Sequence, residues 1–429
     1  MIWASMLGIL FTLLFSGVWI AVALGVAGIV IMQVWGGGIH LLSSAIWTSL
    51  NIYELTAIPI FLFMGEVILQ SGISKKMYDS VSPLLARLPG KLLHSNIVMS
   101  AMFAAVFGSS AACAAAVGSV AIPELKRRKY DTKLVLGSIC VGGTLGFMIP
   151  PSGQFILYGS VAQVSVAALF AAGVVPGIIM TVLFMIYLVI KGTVTPQIAP
   201  VDEKVLPIKD TIRPLLSLWP LLVLMIACVG PIYAGLATPT EAAGIGAFTS
   251  IIVGWTLGNL GWKDLWGSLR ATTKIIGMLF FIMLGAMILA KAVSTLGLPR
   301  HLIDLVGGLP VSPVIVLICI YILYLILGCF FDGISLMLMT LPFASPIVIG
   351  MGFDPVWFGV FITLVIEIAV VTPPLGLNLF VVKGIAGEDT AISDVFLGSI
   401  PFLVCTIIVL GIITIFPHIV SWLPNLLNL

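Results

Sequence analysis

The chain is a succession of long apolar runs separated by short polar breaks. Apolar residues dominate 3–34, 54–71, 92–124, 134–160, 166–190, 214–231, 240–258, 275–292, 312–348, 356–382 and 395–418. An α-helix rises about 1.5 Å per residue, so about twenty apolar residues cross a hydrocarbon core of about 30 Å. Within lipid the backbone must satisfy its own hydrogen bonds, which makes helices the natural form for such runs. The pattern therefore predicts an all-α polytopic membrane protein. Two runs do not fit a single span. Segment 92–124 lies between Lys91 and the cluster Lys126, Arg127, Arg128, Lys129, with Gly108-Ser109-Ser110 at its middle. Each arm of about sixteen residues reaches roughly 24 Å, past the midplane but short of the far side. Basic residues collect on cytoplasmic flanks, so both ends face the cytoplasm and the segment is a re-entrant hairpin. Segment 312–348 has a similar length and a central polar break at Asp332-Gly333, but no basic flank. It is expected to be a second hairpin, entering from the opposite side.

Two further runs carry a proline pair, Pro150-Pro151 and Pro373-Pro374, each with an aspartate twenty residues before its second proline, Asp131 and Asp354. Proline removes a backbone donor and breaks a helix, which a membrane tolerates where the freed carbonyls face protein, a ligand or a cavity. Val166 to Gly173 and Pro176 then answer Ala391 to Gly398 and Pro401. The chain reads as two inverted repeats, 1–198 and 199–429, each with scaffold helices, an interfacial arm, a hairpin and a broken helix (134–160 and 356–382). Paired broken helices in matching halves point to a transporter's binding site. The arms are Lys75–Leu88 and Leu298–Leu309, too short and polar to span and expected to lie as helices at the interface.

Charge supports this threading. With 3–34 as a bent pair of helices, seventeen of the nineteen Lys and Arg fall on one side, and Lys291 and Arg300 on the other. The positive-inside rule then puts both termini in the periplasm and the connection 191–213, the one candidate linker, in the cytoplasm. Composition agrees: 60% of residues are hydrophobic, 8% are charged and the mean hydropathy is +1.24. A net charge of +2 says little about partners and gives no reason to expect nucleic acid. All six cysteines lie in apolar stretches without CxxC spacing, as small packing residues do. No basic residue precedes Lys75, so the first run lacks the charged region of a cleaved signal and reads as a retained helix. No ATP-binding, metalloprotease or hydrolase motif is present, and the four histidines are scattered at segment ends. An enzyme is not expected. Energy would come from an ion gradient or a partner, or from neither in a channel.

Several ordered blocks resemble one family across nearly the whole chain. They are Phe107 to Gly118 with Ile122-Pro123 and Tyr130-Asp131; Gly143-Thr-Leu-Gly146 through Ile149-Pro-Pro-Ser152; Leu169 to Gly173 with Pro176-Gly177; and Thr238 to Ala243. In the second half they are Gly328 to Asp332, Asp354-Pro355 with Phe358-Gly359, and Glu367-Ile368 through Thr372-Pro-Pro-Leu-Gly-Leu-Asn378. These are similar to the large membrane subunit of tripartite ATP-independent periplasmic (TRAP) transporters. Ala369 stands where glycine is expected, and Cys329-Phe330-Phe331 is bulkier than usual beside the second tip. The resemblance implies an inverted-repeat elevator in the bacterial inner membrane that takes up a small organic acid with sodium as coupling ion. A soluble periplasmic substrate-binding protein would deliver the solute, and a separate small membrane subunit would complete the scaffold, this chain being the unfused large one.

Sodium takes several oxygen ligands, so unwound carbonyls, hydroxyls and amides at a helix break suit it. A first ion site is expected at Gly108, Ser109 and Ser110 with Gly143, Thr144 and Gly146. A second is expected at Gly328, Asp332 and Gly333 with Thr372, Pro373, Gly376 and Asn378. Ser110, Pro150, Pro151, Ser152 and Asn378 are the candidate solute-binding residues. No other cofactor is expected. Intramembrane acids are costly and commonly functional. Asp332 is read as an ion or structural ligand, and Glu367 as a residue that pairs with a helix end, binds a cation or carries a proton. Glu66 and Glu241 are read as packing hydrogen-bond partners. A stand-alone ion-coupled symporter and a non-transporting scaffold remain as alternatives, the latter disfavoured because a scaffold has no use for broken helices.

Overall fold

The computed structural model describes residues 2–35, 43, 46–47, 51–200, 214, 216–297, 312–373 and 376–429. Among them every regular element is helical. Helices begin where a polar cap precedes an apolar run. Asp131, Ser165, Thr238, Ser312, Asp332 and Asp354 each accept a backbone N–H from the first turn they precede. Pro239, Pro313 and Pro355 occupy first-turn positions, where the missing donor costs nothing.

In chain order, α1 is Ile2–Phe15, α2 Ile20–Val34, α3 Ala57–Gln70 and α4 Ile73–Leu85. The first hairpin is α5 (Leu93–Phe107) and α6 (Ser110–Arg127), followed by the first broken helix, α7 (Thr132–Met148) and α8 (Gly153–Ala162), and by α9 (Val166–Val194). The second half continues with α10 (Trp219–Tyr233), α11 (Pro239–Leu257) and α12 (Trp262–Thr295). Its hairpin is α13 (Pro313–Gly328) and α14 (Gly333–Gly350), and its broken helix is α15 (Pro355–Ala369) and α16 (Leu377–Ala386). The last two helices are α17 (Ile392–Ile415) and α18 (His418–Leu427).

Among the described residues, seven helical stretches are long and apolar enough to cross a membrane. Burial ranks them: the most apolar window of Thr132–Ala162 is 94% buried, against 33% for Val166–Val194 and 28% for Leu216–Tyr233. The first broken helix is therefore the centre of the molecule, packed by α5, α6 and α17. On α9 a stripe of Ile178, Val182, Ile186 and Ile190 faces outward at helical spacing, as a lipid-facing surface does. Outside the centre, α2 lies along α12, and α11 packs on α3 and α10. Glycine permits the α2–α12 approach: a Cβ on Gly28 would stand 2.9 Å from the Leu289 backbone, and one on Gly285 2.1 Å from Ala21 O.

The arm Lys75–Leu88 forms α4, whose apolar side (Ile73, Met77, Tyr78, Val81) is buried against the first hairpin. Lys76 Nζ donates to Leu257 O at 2.8 Å, tying this arm to the end of α11. Three boundaries differ from expectation. Run 275–292 is part of a 34-residue helix that extends back to Trp262, because Lys263, Arg270 and Lys274 are good helix formers. The helix of the last run, 395–418, ends at Ile415, and α18 is a separate helix beyond Pro417 that packs on α9. The supposed linker starts within α9, and Asp131 N donates to Ile198 O at 3.0 Å, so its first residues are packed on the protein. The second arm Leu298–Leu309, residues 201–213 and Pro374 lie outside the described residues.

Candidate functional site

The first hairpin turns at Gly108, whose φ of +56° is a left-handed conformation that favours glycine. Cys113 Sγ lies 3.3 Å from Ser100 O, so the two arms run back along each other. Gly108 faces the break of the first broken helix: Gly153 N donates to Gly108 O at 3.1 Å, and a Cβ at 108 would stand 3.0 Å from Pro151 O. In that break Ile149 is extended, Pro150-Pro151 is a cis peptide, and Ser152 caps α8 through Phe155 N while donating its hydroxyl to Phe147 O. Gly143 and Gly146 let α7 come against the tip. A Cβ at 146 would lie 3.1 Å from Ser109 O, and one at 143 would lie 3.0 Å from Ser110 O. Gly108, Ser109, Ser110, Gly143, Gly146 and the Pro150-Pro151-Ser152 break thus converge. Thr144 points elsewhere: its hydroxyl bonds Val141 O at 2.8 Å and lies 3.4 Å from Glu367 Oε2.

The second hairpin is pinned by a hydrogen bond between the Tyr324 and Thr340 hydroxyls. Its turn, Cys329 to Phe331, bonds back to Leu325 and Leu327, and Asp332 then starts α14. Asp332 Oδ2 accepts from Ile334 N at 3.1 Å and Ser335 N at 3.2 Å, and Oδ1 accepts from the Ser335 hydroxyl. Cys329 Sγ reaches Pro373 O at 3.0 Å, so this tip also meets its proline break. Gly328 packs against the methyl of Ala369, where a Cβ would come within 2.3 Å, so the alanine at 369 is accommodated by the glycine opposite. Thr372 bonds its own helix at Ile368 O, 2.7 Å away. Gly376, at φ +20°, precedes α16, and a Cβ there would stand 3.2 Å from Thr372 O.

Asn378 is expected both at the second ion site and, with Ser110, among the solute-binding residues, and the structure puts it with Ser110. Its amide nitrogen donates to the Ser110 hydroxyl and to Cys140 O at 3.2 Å, so it belongs to the first tip. The reason is topological: α16 packs on α6 and α14 packs on α8, so each broken helix sends its second segment to the hairpin of the other half. The same crossing places Gln154, absent from the sequence expectations, against the second tip: a Cβ on Gly333 would stand 2.8 Å from its Nε2. Only its place three residues after a proline pair, near that of Asn378 in the other half, could have flagged it.

Glu367 is buried, and Oε1 has no hydrogen-bond partner. Glu367 and Thr144 each stand seven residues before the second proline of their pair, so equivalent positions of the two halves meet. Glu241 forms a capping box with Thr238 at an exposed helix start, a local hydrogen-bonding role, and Glu66 is half-buried on α3. At the rim Lys126 Nζ donates to Ala386 O at 2.8 Å, placing a cation at the negative end of α16. Among the described residues no cluster of three or more His, Cys, Asp or Glu could hold a metal.

This arrangement has counterparts. The crystal structure of the YdaH transporter of Alcanivorax borkumensis superposes with a TM-score of 0.65 at 15% identity, covering 89% of each chain. The structure of MtrF from Neisseria gonorrhoeae gives 0.59 at 12%, covering 87% of this chain and 84% of that one. At such identities these show the fold alone, a polytopic all-α transporter fold. In sequence the chain is 33% identical over 380 residues to the C4-dicarboxylate TRAP transporter large permease protein DctM of Pseudomonas aeruginosa, covering 88% of this chain and 87% of that protein. It is 29% identical over 394 residues to the sialic acid TRAP transporter large permease protein SiaM of Vibrio cholerae, covering 91% and 90%. Residues 7–419 match the family described as the DctM component of tripartite ATP-independent periplasmic transporters. The chain therefore belongs to the DctM family of TRAP transporters, as a large membrane subunit whose work is transport.

Proposed function

We propose that this subunit carries a small organic acid inward across the bacterial inner membrane by an elevator movement. Sodium is the coupling ion, a soluble periplasmic binding protein delivers the solute, and a separate small membrane subunit completes the scaffold. The observation that carries this reading is the exchanged packing of hairpins and broken helices, with Asn378 on the Ser110 hydroxyl at its centre. Carbonyls and hydroxyls freed at the two tips and the two proline breaks are the hard oxygen donors a sodium ion takes. The first site uses Gly108, Ser109, Ser110, Gly143 and Gly146, with Thr144 linking it to Glu367. The second uses Gly328, Gly333, Thr372, Pro373 and Gly376, with Asp332 beside them. Glu367, one of whose oxygens is unpartnered, senses ion occupancy through Thr144 in this reading, which the 3.4 Å approach of the two side chains supports.

The acid class follows from what lines the first tip. α6 begins without a side-chain cap, so its first amides remain available to an anion, next to Ser110, Asn378, Ser152 and the Pro150-Pro151 turn. Relatives named for C4-dicarboxylate, sialic acid and isethionate share an anionic group. Lysines and arginines lie at or beyond the ends of the apolar runs, so the site holds its solute without a cationic clamp. High-affinity capture, which a bidentate arginine supplies elsewhere, then resides on the binding protein. The test is uptake into proteoliposomes containing this chain and its small partner. Uptake is expected only with an inward sodium gradient and the cognate binding protein outside. Uptake that survives replacement of sodium by choline removes the coupling ion from the reading, and robust uptake without the binding protein establishes a stand-alone symporter instead.

A further inference from the structure

The two amides that cross between the halves are not in the same condition. Asn378 is satisfied by Ser110 and Cys140. Gln154 is 1% exposed, and neither its oxygen nor its nitrogen has a partner. It stands in the first turn of α8 against Gly333, the first residue of α14, and Ile366 and Phe147 complete the wall around Gly333. An apolar side chain of the same length would fill this space without leaving an amide unpaired, so stability does not account for glutamine here.

We propose that Gln154 binds the transported solute at the second hairpin tip, where its amide holds an uncharged group that both donates and accepts a hydrogen bond, such as a hydroxyl or an amide. The assignment rests on the transport reading above and deepens it by naming the substrate class. The two tips differ in charge. At the first, the uncapped start of α6 favours a carboxylate. At the second, the amides of Ile334 and Ser335 already serve Asp332, so the positive end of α14 is answered by a resident negative charge. A second carboxylate on the solute would meet both Asp332 and the Gln154 oxygen, whereas a hydroxyl can accept a hydrogen bond from Nε2 and donate one to Oε1. The solute is therefore an acid with its carboxylate at Ser110 and Asn378 and a hydroxyl or amide at Gln154. Because Gly333 and its neighbours close over the amide in this conformation, the second tip parts from α8 to admit it.

The experiment uses the purified two-subunit membrane complex and the variant Gln154→Met, close in length and volume. Freed of an unpaired amide, the variant is expected to melt at a higher temperature than the wild type, while binding-protein-dependent uptake falls by about tenfold, the effect of one hydrogen bond of about 1.4 kcal/mol. A lower melting temperature, with uptake reduced only in proportion to folded protein, makes Gln154 a packing residue and overturns the assignment. Unchanged uptake overturns it too. The substrate class is read by melting the wild type in sodium with glycerate or with malonate, two probes of equal heavy-atom count. Glycerate is expected to stabilise the wild type but not the variant, and malonate neither. Equal stabilisation by malonate, or none by either probe, refutes the class. Failure of the transport reading would show separately, as wild-type uptake indifferent to sodium or to the binding protein.

Discussion

Asp332 shows how one side chain can serve structure and charge at once. Its carboxylate takes two backbone amides and a hydroxyl at the start of α14, which is the work of a helix cap. The two roles separate by substitution. Asp332→Asn retains an acceptor for the cap and removes the charge, so it is expected to melt near the wild type while sodium-dependent uptake falls. Asp332→Ala removes both, and should lose about 1 kcal/mol of stability as well. Full uptake by Asp332→Asn in the liposome assay would reduce the residue to a cap. Glu367 and Thr144 pose the opposite case. The glutamate is fully enclosed, and one of its oxygens finds only the hydroxyl at the equivalent position of the other half. Such a meeting is what a two-fold relation between the halves requires near its axis.

At the scale of elements, the site depends on how closely helices can approach the first broken helix. α7 is wrapped by both arms of the first hairpin and by α17, and glycines supply the clearance. A Cβ on Gly398 would lie 1.8 Å from Lys133 O, and one on Gly137 2.0 Å from Gly398 C, both backbone atoms that have no rotamer to yield. Gly398→Ala is therefore expected to cost about 3 kcal/mol or more, the upper part of the range for overpacking, and to appear as a lowered melting temperature with loss of monodisperse protein in detergent. Gly411, on the same helix, has nothing within 4 Å of an added Cβ, so Gly411→Ala is the control and should melt at or slightly above the wild type. Equal behaviour of the two variants would mean that α7 and α17 are not held this closely in the membrane.

For the whole molecule, the arrangement is an exchange. α6 takes α16 from the second half, and α14 takes α8 from the first, so neither half completes its own site. The orientation we propose for this assembly in the bilayer is argued from charge: the rim residues Lys126 and Lys133, which bond Ala386 and Asp394, belong to the basic side of the threading. Cysteines introduced at Asp202 and Asn425 test it. In intact cells an impermeant reagent is expected to label the position at Asn425 and spare that at Asp202. Labelling of both, or of Asp202 alone, overturns a cytoplasmic connection and periplasmic termini.

Much of this was legible along the chain because the information is local. Apolar length, basic flanks and proline pairs act through hydration and backbone chemistry, which need no knowledge of distant residues. They located α5 to α8 and α13 to α16; the glycine–serine break located the first tip, whereas the Asp-Gly break fell just past the second turn, Cys329 to Phe331, at the start of α14. The start of α12 at Trp262 and the separate α18 were less visible, since charged helix formers and a terminal amphipathic turn carry little hydropathy. What no local pattern could supply was the pairing of parts. Asn378 sits beside the second proline pair in sequence, yet its amide serves Ser110, 268 positions away. Gln154 looks like an isolated polar residue in an apolar helix until packing brings Gly333 against it. Hydrogen bonds between halves depend on the crossing of two chains of helices, and that crossing is decided by which surfaces fit when the repeats close on each other.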